Sequence, residues 1–258
     1  EKCDKVADFA PFVAFVVLVF NGSYAMVVDM FNNHEFTVDA SAVVSENISN
    51  PVSNVNIWSI SENGPFVNVS NNKENDIFEF VEYVQLMQCT GGTYERDLFV
   101  DPYNTEVLDD YDFTALIENC RGILSLGAKP LLKLGSVPMK YTSAATAGEF
   151  ETNIYPPDDY NVYYSYIKAI TEALVEEFGL QEVLNWRFGV MTEYENASWF
   201  MAKSGNPEDT AIEFCKLYEY TVQALIDVLG EDVFVGAHSM TVTEGLWDEA
   251  IFIKHCAN

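Results

Sequence analysis

The run Val183-Leu-Asn-Trp-Arg-Phe-Gly-Val-Met-Thr-Glu-Tyr-Glu-Asn-Ala-Ser-Trp199 decides how this chain is read. Apolar side chains alternate at Leu184, Trp186, Phe188 and Val190, the period of a buried strand with one face on a helical layer. The opposite parity holds Asn185, Arg187, Gly189, Met191 and then Glu193. Continued, that pleat projects Glu193 from the carboxyl end of the strand, where α/β barrels carry their chemistry. The alternative is a solvated glutamate on a loop.

Outward from this strand the periodicity switches repeatedly between two and 3.6. Val55–Trp58, Val81–Met87, Lys129–Leu134 and Asp232–His238 read as further strands. Between them lie helical patterns. Asp112 is the expected N-cap of one that carries Phe113, Leu116, Ile117, Cys120, Ile123 and Leu124 and closes at Gly127. The next carries Tyr163, Ile167, Ile170, Leu174 and Phe178 and stops at Gly179. A third starts at Asn206-Pro207-Glu208-Asp209, with a cap residue, proline at the first position and acid at the positive end of the dipole, and runs to Gly230. Short helices are expected around Asn75–Glu79 and from Leu246 to His255.

Strict alternation of strand and helix means a parallel sheet with right-handed crossovers. No glycine-rich phosphate motif follows a strand, and the long loops follow strands rather than helices, so the expected fold is a (β/α)8 barrel. About five strand–helix units fit, so the barrel is expected to be truncated, as residues 50–258 of the chain.

Composition narrows the ligand. Forty acidic residues against 13 basic give a net charge of −27, which argues against nucleic acid or an anionic membrane surface as partner. A neutral ligand such as a saccharide suits that charge, and so does plain solubility of an acidic extracellular protein. Near the amino end, Phe9–Phe20 is apolar, Lys2 and Lys5 precede it, and Ser23-Tyr-Ala25 has the small residues of a cleavage site. Residues 1–25 therefore read as a signal peptide and the protein as secreted, with 26–49 as an extension; the competing reading is a buried strand of a small N-terminal module. The five cysteines form no C-x-x-C pair and the three histidines are scattered, so neither a metal nor another cofactor is expected. Cys120 and Cys215 fall inside helical patterns as small core residues.

Trp186–Glu195, with Lys133-Leu-Gly-Ser-Val-Pro138 before it and Val235-Gly-Ala-His-Ser239 after it, resembles a clan A glycoside hydrolase, most closely the family 39, β-xylosidase type. Gln88-Cys-Thr-Gly-Gly92 and Pro156-Pro-Asp-Asp-Tyr160 fit the same pattern. The resemblance covers residues 50–258. It implies a retaining hydrolase of O-glycosidic bonds with Glu193 as general acid/base, and a nucleophile glutamate on a seventh strand, expected beyond residue 258. Thr192 stands where the family usually has an asparagine that donates to the sugar 2-hydroxyl, and Gln85 stands on a strand that often carries an arginine, for which Arg96 is a candidate substitute. Those two departures favour the alternative, a catalytically inactive carbohydrate-binding barrel; an incomplete fragment of a hydrolase is the third reading.

The remaining candidates are binding residues. His238 ends the fifth strand, where a neutral imidazole would bond a sugar hydroxyl. Trp58 and Trp199 are candidate stacking platforms for a pyranose ring. Glu195 is the alternative acid, and Lys133 has the inward parity to pair with an acid in the barrel floor. Asn196-Ala-Ser198 is a formal glycosylation sequon beside Glu193, read as coincidence.

Overall fold

A computed structural model describes residues 81–241 and 244–257 in full and, before them, the backbone of four strands, 16–18, 24–29, 34–39 and 54–57. The chain divides into two units, Glu1–Pro51 and Val52–Asn258.

In the first unit, β1 (Val16–Leu18), β2 (Tyr24–Asp29) and β3 (His34–Asp39) form an antiparallel sheet in that order. Leu18 pairs with Ala25 and Val16 with Val27, so β2 begins inside the Ser23–Ala25 segment and pairs with residues that precede it. The rest of the segment read as a signal peptide lies outside the described residues, as do Cys3, Trp58 and the helix expected at Asn75–Glu79.

The second unit carries the parallel sheet. β4 (Asn54–Ile57), β5 (Tyr83–Leu86), β6 (Lys129–Leu134), β7 (Arg187–Val190) and β8 (Val235–Ala237) lie side by side in chain order, every pair parallel. Among the described residues the α-helices between them are α1 (Thr114–Ser125), α2 (Tyr160–Phe178), the single turn α3 (Leu180–Val183) and α4 (Pro207–Leu229), with α5 (Ala250–Cys256) after β8. Val84, Leu86, Leu132, Leu134, Phe188 and Val190 share one face of the sheet and are buried with the apolar faces of α1, α2 and α4 in one core. Cys120 and Cys215 sit in that core as free thiols. The other face presents Gln85, Leu131, Lys133, Arg187, Gly189 and Gly236.

The helix signals act where their chemistry predicts. Asn206 accepts from the amides of Glu208 and Asp209 at the start of α4, and Asp159 caps α2 through the amide of Asn161. Asp112 falls one residue early: it accepts from the amide of Thr114 as a turn residue, and Phe113 takes the cap position without a side-chain bond. Helix α5 begins at Ala250 rather than Leu246, where Asp248 accepts from the Ala250 amide.

Strand β7 is shorter than its alternation suggested. Leu180, Val183 and Leu184 are spaced i, i+3, i+4, and they belong to α3 and its exit. Trp186 donates its indole N–H to Glu182 at 3.0 Å, a helical i, i+4 contact, and packs on Phe178. Only Arg187–Val190 is pleated. The turns that enter strands are short (126–128, 184–186, 230–234), whereas the loops that leave them are long (87–113, 135–159, 191–206). Among the described residues the long irregular segments thus gather at the carboxyl edge of the sheet. Among the described residues no helix is long and apolar enough to cross a membrane.

Candidate active site

The loops after β5 and β6 are locked together by one buried carboxylate. Asp97 accepts from the amide of Gly92 at 2.7 Å and from that of Met139 at 2.8 Å, joining the two loops. Burial pushes its carboxyl up to about 7, against the pull of those two amides and of Lys140. Gly91, at φ 86°, passes so close that a Cβ there would sit 2.3 Å from Asp97 Oδ1. Thr90 donates to the Ser136 carbonyl at 2.6 Å and completes the clasp. Arg96, the candidate substitute for a strand arginine, instead donates to Gln88 Oε1 at 2.8 Å.

Beyond Val190 the pleat does not continue. Met191 and Glu193 take left-handed backbone angles, φ 57° and 44°. Such angles cost about 1–3 kcal/mol each in a non-glycine residue, and they persist where surrounding bonds over-determine them. Here those bonds are present. The Met191 amide donates to the Leu134 carbonyl at 2.8 Å, and the Glu193 amide to Ser239 Oγ, just past β8, at 3.1 Å. The Glu193 carbonyl accepts from the Asn196 amide at 2.7 Å, closing a turn. The Glu193 carboxylate is half-exposed, and its Oε2 accepts from Asn196 Nδ2 at 2.8 Å. A carboxyl so placed can give a proton to, or take one from, a ligand at the strand ends.

Glu195 occupies a different environment. It is buried, its Oε1 accepts from the Thr241 amide at 2.6 Å, and its carbonyl accepts from the Leu246 amide. Its place is therefore in bracing the loop after β8. Thr192 is also buried, with no hydrogen bond to its hydroxyl. Gln88 Nε2, Lys133 Nζ, Ser136 Oγ and Glu195 Oε2 are likewise buried without a hydrogen-bond partner. Unpaired buried polar atoms are uncommon in a folded chain, and these mark the carboxyl edge of the sheet as its polar pole.

Lys133 does not meet an acid. Its ammonium lies over the Trp199 ring, 4.5 Å from the centroid, and burial lowers it from 10.5 to about 8. Trp199 is itself buried and stacked on Phe150 at 4.4 Å, so it is an inner wall rather than an open platform. His238 folds back over the sheet: a Cβ on Gly189 would lie 2.5 Å from His238 Nδ1, which only glycine permits. Burial first, and then the charge of Lys133, lower the His238 imidazole to about 4, so it is neutral at ordinary pH. Sequence reasoning missed Asn196, whose signal, a side-chain amide three residues past Glu193, was absorbed by the sequon reading. Among the described residues no three His, Cys, Asp or Glu side chains are grouped to hold a metal ion.

Comparison with known proteins bears on this geometry. The sequence matches glycosyl hydrolases family 39 over residues 91–258. It is 28% identical over 152 residues to a beta-xylosidase of Geobacillus stearothermophilus, covering 58% of this chain and 28% of that protein. A beta-xylosidase of Caldicellulosiruptor saccharolyticus is 28% identical over 141 residues, 54% of this chain and 28% of that one. The chain thus spans under a third of the length of these relatives. A family 39 beta-xylosidase structure from Caulobacter crescentus superimposes with a TM-score of 0.52 at 18% identity, over 73% of this chain and 40% of the other. That likeness is one of fold.

Proposed function

The chain belongs to glycosyl hydrolases family 39, and on that premise we propose that Glu193 is the general acid/base of a retaining glycosidase acting on a β-xyloside or related neutral saccharide. The single observation that carries this reading is the placement of Glu193. It is a half-exposed carboxylate at the carboxyl edge of the parallel sheet, just past β7, held in a left-handed turn by Ser239 and Asn196.

The chemistry follows from that carboxyl. A glycosidic oxygen leaves poorly until it is protonated, and Glu193 supplies the proton as the bond breaks. It then takes a proton from the water that releases the sugar from a covalent intermediate. Retention needs a second carboxylate about 5–5.5 Å away on the opposite face of the ring. Among the described residues the two positions that follow β5, β6 and β8 are Met87-Gln88, Gly135-Ser136 and His238-Ser239, so none of these strand ends offers it. The neutral His238 imidazole fits a hydroxyl-binding role. The beta-xylosidase relatives supply the choice of sugar.

A scan of aryl glycosides against the full-length protein tests the reading. Aryl β-xyloside is expected to turn over fastest, and Glu193→Gln is expected to lose most of that rate. Binding of xylo-oligosaccharide with no turnover of any glycoside would make the protein a binding scaffold instead.

A further inference from the structure

We propose that Asn196 is a positioning residue for Glu193, and that its side-chain amide sets the direction of that carboxyl. As a statement about catalysis this rests on Glu193 being the acid/base; as a statement about the carboxyl it rests on geometry alone. Asn196 Nδ2 donates to Glu193 Oε2 at 2.8 Å. The amide cannot be turned the other way, because Asn196 Oδ1 accepts from the backbone N–H of Ser198 at 2.9 Å. A carbonyl oxygen is required on the Ser198 side, so the NH2 faces the carboxylate. The Asn196 amide N–H also donates to the Glu193 carbonyl at 2.7 Å, so main chain and side chain of the two residues are fixed to each other. Downstream, the Asn196 carbonyl accepts from the Trp199 and Phe200 amides, which ties the turn to two buried aromatic residues.

A neutral N–H donor favours the ionised carboxylate over the acid. It also limits the carboxyl to the rotamer in which Oε2 is taken up, leaving Oε1 to serve the glycosidic oxygen. The sequon Asn196-Ala-Ser198 then has a second meaning: its asparagine amide orients Glu193, and its third residue orients the asparagine.

Asn196→Asp separates this role from a purely structural one. Aspartate keeps an oxygen for the Ser198 amide but puts a second acceptor, and a charge, against Glu193. The readout is the pH at which the Glu193 carboxyl carbon titrates by NMR, its resonance identified by its loss in Glu193→Gln. In Asn196→Asp that midpoint is expected to rise by about one pH unit or more, a tenfold or larger change in the ionisation equilibrium. Asn196→Ala, which removes the donor without adding charge, is expected to give a smaller rise. An unmoved midpoint in a folded Asn196→Asp protein overturns the proposal, and if that variant does not fold, an unmoved midpoint in Asn196→Ala does the same. In the full-length protein the alkaline limb of kcat/KM for aryl β-xyloside moves upward with the midpoint. Absence of hydrolysis in the wild type defeats the acid/base reading alone, since the carboxyl titration still decides whether Asn196 governs Glu193.

Discussion

Replacing Lys133 by methionine is expected to stabilise the protein, and to do so in a pH-dependent way. The lysine is fully buried on the inner face of β6, with no hydrogen bond to its ammonium. Methionine keeps a similar length of stem and removes the charge. Burial lowers the lysine from 10.5 to about 8, so the fold prefers it neutral. The stability contributed by the neutral form is fully present above 10.5 and is lost as pH falls through about 8. At pH 7 the penalty approaches about 3 kcal/mol, from 1.36 kcal/mol for each pH unit of displacement. The face of Trp199 returns about 1–2 kcal/mol of this. A net gain of about 1–2 kcal/mol remains, and in a chain of this size each kcal/mol moves Tm by about 2–4 °C. Urea melts of both proteins at pH 6.5, 8 and 10 measure it. The advantage of Lys133→Met is expected to be largest at pH 6.5 and to shrink toward pH 10. A variant less stable than wild type at pH 6.5, or a difference that does not change with pH, would mean that the buried ammonium is compensated and costs the fold nothing.

Lys140, also buried, is expected to behave oppositely. Lys140 donates to the carbonyls of Asp101 and Val107 at 3.1 and 2.8 Å and to Asp110 Oδ1 at 2.5 Å, and it lies over the Phe99 ring. Lys140→Met strips these acceptors of their donor, so a loss of about 3 kcal/mol is expected in the same urea melts. Gly91→Ala drives a Cβ to 2.3 Å from Asp97 Oδ1 at a φ of 86°, and a loss of about 2 kcal/mol or more, with faster proteolysis of the 87–113 loop, is expected. Gly189→Ala is expected to displace the His238 ring, read as a shift of its imidazole resonances by NMR, with little change in the far-UV spectrum.

The sheet was legible in the sequence because its signals are redundant. Lys129–Leu134 reads as a strand by composition and by the loop that follows, and the structure has the same bounds. Asn206-Pro-Glu-Asp209 carries three independent start signals, and α4 begins there. Leu184 and Trp186 misled because a helical turn entering a strand can imitate alternation over a few residues, and Leu180, Val183 and Leu184 give the competing spacing. The position of Glu193 was right in outline and wrong in cause. The strand edge does present it, but through two left-handed residues that no periodicity encodes. Lys133 had the right parity, yet parity gives a direction and not a partner; the ring of Trp199, sixty-six positions away in the chain, took the place expected for an acid. Trp58 lies outside the described residues, so its role as a platform has no structural counterpart here.

Azide rescue of Glu193→Ala in the full-length protein tests the assignment of Glu193 most directly. With an activated aryl β-xyloside the sugar still reaches the covalent intermediate, and azide then attacks where water would need a general base. The account predicts faster turnover with added azide and a product with the β configuration of the substrate. An α-configured azide would make Glu193 the nucleophile, and a variant as active as wild type without azide would remove it from the chemistry.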